Sequence, residues 1–286
     1  MTEPLFIVLV LAAVLAALVH RDSAHRLRWA VATGVLAGLA ALTRGNGIAL
    51  LIPLCLLVWN ERPPLSARAL SAPLAVVLAA VATLAPWTIR NEHVFHAFVP
   101  ISTESGYALA GTYNRYSDHL TQYPALWGPP VLEMAQVLAH HRGLDEAQIS
   151  SRLDTVAFDY VKAHPAYPLK VLYWNTLRML NLTGTGYERW EATFEAYPPT
   201  LAAISVYAFW ALGLLMLAGA VTRAARRPPW ALWLCPLLVF LSTVVFLGAT
   251  RYRAPADPFL IMLAALALVA AWRHWSQRLP VPSAAG

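Results

Sequence analysis

Residues 29–59 read WAVATGVLAGLAALT (29–43), RGNG (44–47) and IALLIPLCLLVW (48–59), and Arg44 is the one charged residue among these 31 positions. A charge at membrane depth costs about 2.5–3.5 kcal/mol by insertion scales unless it faces a water-filled cavity or a partner group. Arg44 is therefore a candidate functional residue. Its position near the centre of the stretch also decides how the chain is threaded through a membrane.

The composition is that of an integral membrane protein. Hydrophobic residues make up 58% of the chain and charged residues 13%, with a mean hydropathy of +0.53. This leaves too little polar surface for a soluble globule. The pI is near 9.5, but the positive excess lies in short segments beside apolar runs, so we predict no nucleic-acid partner. Both cysteines, Cys55 and Cys235, lie inside apolar runs and are predicted to be free.

The apolar runs predict a mainly α-helical, polytopic fold. They fall at 4–20, 29–43, 48–59, 70–87, 200–221, 230–248 and 258–275. A helix needs about 20 residues to cross about 30 Å of hydrocarbon, whereas 29–43 reaches only about 22 Å and 48–59 only about 18 Å. Because Gly45 and Gly47 allow a break between them, we predict about five full transmembrane helices plus a broken helical hairpin over 29–59. One straight crossing through 29–59 is the alternative.

The distribution of positive charge orients this arrangement. The segments 20–28, 60–69, 222–229 and 273–286 together carry ten arginines and only two acidic residues. The 112-residue segment 88–199 carries eight Lys/Arg and eleven Asp/Glu. Short loops follow the positive-inside rule and long ones follow it weakly. The short segments are therefore predicted to be cytoplasmic and the long one to be exported.

Three parts of the chain follow from this orientation. Residues 1–87 hold N-terminal transmembrane helices with the hairpin, 88–199 form one large exported (periplasmic) loop, and 200–286 hold C-terminal transmembrane helices and a cytoplasmic tail. Within the loop, 145–162 and 166–180 are predicted to be amphipathic helices, and the first places its apolar residues on one face at helical spacing: Ile149, Leu153, Val156 and Tyr160. The segments 100–130 and 181–199 are predicted to be irregular.

Four arginines are expected at the outer ends of the membrane helices: Arg44, Arg90, Arg251 and Arg253. Guanidinium groups are rigid forks of donors that suit phosphate oxygens and keep their charge when partly desolvated. We therefore interpret these four as candidates for binding an anionic lipid headgroup such as a polyprenyl phosphate. The alternative is that each one reaches independently toward a phospholipid phosphate.

Other chemistry is sparse in the sequence. The acid–base candidates near the membrane exit are Glu92, His93, Glu104, Asp118 and His119, and no spacing selects one of them. The catalytic residue is therefore unknown at this level. No metal motif is present, so we predict no cofactor, with a divalent metal as the open alternative.

Several motifs, in order along the chain, resemble a known enzyme family. They are GLAALTR (38–44), PWTIRN (86–91), FVPIST (98–103), AHP (163–165) and RYRAP (251–255). The set is similar to bacterial membrane glycosyltransferases of the GT-C fold, in the branch related to protein O-mannosyltransferases and the aminoarabinose transferase of lipid A. Gly45 stands where the family more often has proline.

The resemblance implies a multi-pass enzyme of the bacterial inner membrane that moves a sugar from a polyprenyl-phosphate donor to a glycan, lipid or protein acceptor on the periplasmic side. In such inverting chemistry a carboxylate takes the acceptor's proton, and cations stabilise the departing lipid phosphate. Arg44, Arg90, Arg251 and Arg253 would take the second role.

One departure concerns the start of the chain. Family members begin with further transmembrane helices and an exported loop that carries the catalytic aspartate, whereas this sequence starts at MTEPLF (1–6). We expect an upstream extension, a second polypeptide or a truncated product. A glycosyltransferase, or the C-terminal portion of one, is the favoured interpretation. A catalytically inactive membrane partner and a lipid or sugar transporter are the alternatives.

Overall fold

The fold consists of helices throughout the residues described by the computed structural model, which are 2–60, 63–140, 143–195 and 197–277. Within these ranges there are thirteen α-helices, and no strand is present. In chain order they are α1 (Glu3–Asp22), α2 (Arg26–Thr43), α3 (Leu51–Val58), α4 (Ala67–Phe95), α5 (Glu104–Thr112), α6 (Arg115–His119), α7 (Val131–His140), α8 (Glu146–Ala163), α9 (Tyr167–Met179), α10 (Thr185–Glu195), α11 (Pro199–Ala220), α12 (Leu234–Val244) and α13 (Asp257–Ser276). Four 3-10 turns lie at Gly45–Leu50, Arg223–Arg226, Trp230–Trp233 and Thr250–Arg253.

Four helices in the described ranges are long and apolar enough to cross a membrane: α1, α4, α11 and α13, with 20, 29, 22 and 20 residues. The organisation expected of a helical membrane protein is therefore present. The run 230–248, expected as a further span, forms a 3-10 turn followed by α12, whose 11 residues extend about 16 Å. Helix α4 continues through the expected boundary at residue 87 to Phe95.

The stretch 29–59 turns back on itself. Helix α2 ends at Thr43, and Arg44 adopts extended backbone angles (φ −149°, ψ 122°) before the 3-10 turn and α3. At this end Arg44 contacts Glu3, at the start of α1, with 3.0 Å between Nη1 and Oε1. At the other end Arg21, in the last turn of α1, donates to the carbonyl of Leu57 in α3 at 2.9 Å. Helices α2 and α3 thus run in opposite directions, which is the course of a hairpin and not of one straight crossing.

Small residues allow α2 to pack closely against α4. A Cβ on Gly34 would lie 2.3 Å from the carbonyl oxygen of Val76, and one on Gly38 would lie 2.7 Å from Cβ of Thr83. The four-residue spacing puts both glycines on one helix face, a pattern that lets membrane helices approach each other. The buried core beside this contact unites α1, α2, α3, α4 and α12.

Residues 96–198, called the loop domain below, have a hydrophobic core of their own. Leu153 and Ala157 of α8 and Val171 of α9 are buried there, and the predicted α8 face packs against it through Ile149 and Tyr160. The two predicted helices 145–162 and 166–180 correspond to α8 and α9. Asp145 and Gln148 form a capping box that begins α8.

The prediction that 100–130 and 181–199 are irregular is wrong, because they contain α5, α6 and α10. Glycine and proline content suggested loops, but tertiary contacts outweigh helix propensity here. A Cβ on Gly106 would lie 2.1 Å from the carbonyl oxygen of Ser150, and one on Gly111 would lie 2.2 Å from Nε1 of Trp127. These glycines therefore serve close packing of α5 and not a chain break.

The loop domain is attached to the C-terminal end of α12 by side-chain hydrogen bonds. Three consecutive carbonyls at this helix end accept donors from α5, α9 and the residue after α5. The pairs are Asn175 Nδ2 to Val244 (2.8 Å), the Tyr113 hydroxyl to Val245 (2.8 Å) and the Thr112 hydroxyl to Phe246. A helix end leaves its last carbonyls without intrahelical partners, so these contacts stabilise the end of α12 and fix the position of the loop domain over it.

Replacing Gly34 with alanine is expected to lower the thermal midpoint of unfolding. The added Cβ collides with the backbone of Val76, and overpacking typically costs about 1–3 kcal/mol. Thermal unfolding in detergent, followed by tryptophan fluorescence, measures the effect. Gly213→Ala in α11 is the matched control, because a Cβ there meets nothing within 4 Å. Equal midpoints for the two variants would contradict the close α2–α4 contact.

Candidate functional site

A cavity of about 760 Å³ lies between the loop domain and the segment that joins α12 to α13. Its walls come from α5 and α6, from the residues between α6 and α7, from α10 and from residues 247–252. Eight aromatic side chains line it: Tyr107, Tyr116, Tyr123, Trp127, Tyr187, Trp190, Phe194 and Tyr252. Its charged lining residues are Glu104, Glu191, Glu195 and Arg251. An aromatic cavity with a few converging polar groups is typical of a small-molecule binding site.

Helix α10 provides much of the polar lining. Tyr187, Trp190, Glu191, Phe194 and Glu195 all line the cavity, and their spacing of three and four residues places them on one helix face. The helix is also held at the margin of this face, where the buried carboxylate of Glu188 accepts a 2.6 Å hydrogen bond from the hydroxyl of Thr250.

Two of the four predicted arginines meet at the edge of this cavity. The guanidinium carbons of Arg44 and Arg251 lie 5.0 and 4.9 Å from the ring centre of Tyr252. Arg44 pairs with Glu3 at 3.0 Å, and Arg251 pairs with Glu195 at 2.7 Å. The hairpin tip and the turn Thr250–Arg253 therefore bring together two cations from opposite ends of the chain.

The other two predicted arginines have different surroundings. Arg253 is buried, pairs with Asp257 at 2.9 Å, and donates to Asn181 Oδ1 at 2.7 Å and to the carbonyl of Met179. Its guanidinium also lies 3.4 Å from the ring centre of Phe209, so it ties the loop domain to α11 and α13. Arg90 is exposed on α4 and contacts the neighbouring Trp87 and Asn91.

The carboxyl group of Glu191, in the cavity wall, has a raised pKa. The pKa of Glu191 is raised from 4.5 to about 7, first by burial and then by the negative charges of Glu188 and Glu195. The positive charges of Arg251 and Arg178 act in the opposite direction. A carboxyl group with a pKa near neutrality is suited to accept or donate a proton.

A buried arginine holds one wall of the cavity in place. Arg178 is 1% exposed and donates to the carbonyls of Pro124 and Ala125, both at 2.9 Å. It also donates to Oδ1 of Asn175, the residue that binds the end of α12. The aromatic residues beside this segment, Tyr123 and Trp127, are thereby fixed relative to the membrane helices.

Of the five acid–base candidates predicted from the sequence, Glu104 alone lines the cavity. Asp118 accepts hydrogen bonds from Tyr160 and Lys170, both at 2.9 Å; burial opposes their effect, but these bonds lower the pKa of Asp118 overall. Glu92 and His93 are exposed near the end of α4, and Nδ1 of His119 bonds to the carbonyl of Arg115.

Sequence reasoning missed Glu191, Glu195 and the partner of Arg44, which is Glu3. A signal for the first two was present, since aromatic and acidic residues alternate through residues 187–195 at helical spacing. The prediction of an irregular segment at 181–199 conceals this signal, because helical spacing has meaning only within a helix. The ranges described by the structure contain no group of three His, Cys, Asp or Glu residues placed to hold a metal ion.

Comparison of the chain with protein-family models, with curated proteins and with solved structures yields no match. The function therefore has to be argued from the chemistry of the cavity and of the helix ends around it.

The titration of Glu191 is expected to make stability depend on pH. Since the folded-state pKa of about 7 exceeds the ordinary 4.5, the folded protein keeps a proton that the unfolded chain releases, and this stabilisation is lost as pH rises from about 4.5 to 7. The thermal midpoint of the wild type should therefore fall relative to that of Glu191→Gln between pH 5 and pH 8.

Infrared spectroscopy provides a direct check on this titration. At pH 6 the wild type should show a protonated-carboxyl band that is absent from Glu191→Gln and retained in Glu146→Gln, whose side chain is exposed at the start of α8. Identical spectra for the wild type and Glu191→Gln would contradict the raised pKa.

Proposed function

We propose that this chain is a membrane glycosyltransferase, or the C-terminal portion of one, that transfers a sugar from a polyprenyl-phosphate donor to an acceptor at the periplasmic face of a bacterial inner membrane. The observation that carries the proposal is the cavity at the helix ends, where a carboxyl group with a pKa near 7 and an accessible arginine share one aromatic-lined space.

In this proposal the loop domain lies outside the cell membrane, and the residues found at the two ends of the membrane helices support that orientation. The arginine-rich segments 20–28 and 222–229 adjoin α1 and α11 at their C-terminal ends, as expected for the cytoplasmic side. The hairpin tip and the loop domain meet the opposite helix ends, where Asn46 donates to Thr243 Oγ1 at 3.2 Å. The cavity would then lie at the outer headgroup level, where the phosphate of a lipid-linked donor is placed.

Arg251 and Arg44 are the proposed ligands of the donor phosphate. A guanidinium has five N–H donors; Arg44 uses one toward Glu3, and Arg251 uses two toward Glu195 and the Tyr252 hydroxyl. Further donors thus remain for phosphate oxygens. Arg251 is 48% exposed and lines the cavity, and Arg44, 13% exposed, lies beside the cavity residue Tyr252. Arg253 is 7% exposed and donates to Asp257, Met179 and Asn181, so it takes a structural role in this proposal. Arg90 is left as a contact to the membrane surface.

Glu191 is the proposed general base. An acceptor hydroxyl oxygen attacks the anomeric carbon of the donor, and its proton passes to the Glu191 carboxylate. The bond between the anomeric carbon and the phosphate oxygen breaks, and the leaving polyprenyl phosphate keeps the electron pair. Arg251 and Arg44 stabilise the negative charge that develops on this phosphate.

Replacing Arg44 with glutamine is expected to weaken the binding of polyprenyl phosphate about tenfold or more, because a charge-assisted hydrogen bond is lost. Native mass spectrometry of the purified protein with polyprenyl phosphate, and with uncharged polyprenol for comparison, measures this. Glu3→Gln separates the possible roles of Arg44. It should preserve or strengthen binding if Arg44 holds the phosphate, since it removes a competing carboxylate.

Equal losses in Arg44→Gln and Glu3→Gln would mean that the ion pair only supports the fold, and would remove Arg44 from the site. Equal binding of polyprenol and polyprenyl phosphate by the wild type would contradict recognition of phosphate altogether.

Sugar transfer is tested in proteoliposomes that contain a panel of tritium-labelled polyprenyl-phosphate hexoses and pentoses, with cell-envelope extract as the acceptor source. Glu191→Gln should reduce incorporation by about 10²–10⁴-fold, the usual contribution of a general base, and leave lipid binding intact. Glu146→Gln is the control and should match the wild type.

Two outcomes of this assay favour the alternatives. Donor binding without transfer by the wild type would indicate a non-catalytic membrane partner. Movement of labelled lipid between leaflets without transfer would indicate a transporter. Unchanged transfer by Glu191→Gln would remove this residue from the base role.

A further inference from the structure

One face of α10 repeats the same chemical pair on successive turns. Trp190 is followed by Glu191, and Phe194 is followed by Glu195, and all four line the cavity. The two pairs are four residues apart, which corresponds to about 6 Å along the helix axis. The cavity therefore offers an aromatic ring and a carboxylate, and then the same pair again, along one direction.

The rings of this face are held in fixed orientations. The ring centre of Trp190 lies 4.6 Å from that of Tyr123, at an interplanar angle of 35°, and 4.8 Å from that of Phe194. Tyr123 in turn contacts Tyr187 at 5.5 Å. Since the backbone beside Tyr123 is fixed by the buried Arg178, a ligand meets a preordered surface and loses less entropy in ordering it.

Several cavity rings are nevertheless uncovered. Phe194 is 72% exposed, Tyr116 is 64% exposed and Tyr107 is 43% exposed. Large exposed apolar groups gathered around a concave surface mark a binding groove more often than a solvated face. These three lie outside the four helices that are long and apolar enough to cross a membrane.

The lining favours a carbohydrate over an acyl chain. A sugar ring offers an apolar C–H face, which packs on an aromatic ring, and hydroxyl groups, which donate to carboxylates. An acyl chain satisfies the rings but offers no hydrogen-bond donor to the carboxyl groups of Glu104 and Glu191, and an apolar contact with these groups is unfavourable. The side chains of a protein acceptor could also pack on the rings. A protein, however, does not present an apolar face and a hydroxyl group at a regular spacing, as the repeat of one ring and one carboxyl group per turn requires.

We propose that this face of α10 is a subsite for a carbohydrate acceptor, in which successive sugar rings pack on Trp190 and Phe194 and donate hydroxyl hydrogen bonds to Glu191 and Glu195. The inference rests on the proposed function, because it assigns the acceptor of the same transfer reaction. It narrows the acceptor from a glycan, lipid or protein to a glycan chain.

Saturation-transfer NMR of the detergent-purified chain tests the subsite without any transfer. The probes are the unsubstituted trisaccharides of mannose, glucose, galactose and arabinose. At least one should receive saturation on its ring protons. Phe194→Ala should weaken that signal at least fivefold, and Phe194→Tyr should retain it. Phe194 is chosen because its side chain is exposed, so that replacing it should have little effect on the fold.

Two further variants complete the test. Trp190→Tyr keeps a ring in place and should retain binding, whereas Trp190→Ala should lose it. Tyr173→Ala removes an exposed aromatic side chain of α9 that does not line the cavity, and should behave as the wild type.

The outcomes separate this inference from the proposed function. Binding of polyprenyl phosphate without binding of any trisaccharide would overturn the acceptor subsite and leave the donor site standing. Binding of a trisaccharide without binding of polyprenyl phosphate would overturn the proposed function. If decanol displaces the trisaccharide and its binding depends on Phe194, the subsite binds an acyl chain, and the assignment to a carbohydrate is overturned.

Discussion

The end of α12 is the point on which the rest of the arrangement depends. The last carbonyl groups of a helix have no intrahelical partner, and leaving them unpaired in a partly buried position is costly. Side chains of the loop domain supply the donors, through Asn175, Tyr113 and Thr112. Because these bonds join the loop domain to the membrane helices, they also determine where the following residues, 247–252, meet α10. The cavity is the space that this contact encloses.

The three arginines beside the cavity make similar ion pairs but differ in how exposed their side chains are. Arg44, Arg251 and Arg253 each pair with one carboxylate at 2.7–3.0 Å. Arg253 is enclosed by further acceptors, and removing it would leave the partly buried carboxylate of Asp257 and the side chain of Asn181 without this donor. Arg251 pairs with Glu195 at the wall of the cavity and is 48% exposed there, so the proposed phosphate ligand would compete with Glu195. The same residue type thus supports the fold at one position and is available to a ligand two residues away.

Much of the membrane arrangement could be predicted because its signals are local. The break at Gly45 and Gly47 and the lengths of the flanking runs predicted the hairpin, and the spacing from Ile149 to Tyr160 predicted α8. Helices α5 and α10 were missed, since their glycines and aromatic residues suggest loops until their packing partners are known. Glu191 could not be selected from sequence, because its pKa depends on burial and on Glu188 and Glu195.

The sequence by itself determined that the protein is a helical membrane protein, that the chain reverses at Arg44, and which arginines stand beside apolar runs. These features depend on the length of apolar runs and on the position of charges along the chain, which can be read without knowing tertiary contacts. Only the tertiary structure decided which arginines meet, that Glu3 neutralises Arg44, and that α10 brings its acids beside Arg251. These outcomes follow from contacts between residues far apart in the chain, such as Arg44 with Tyr252. No local pattern specifies such a distance.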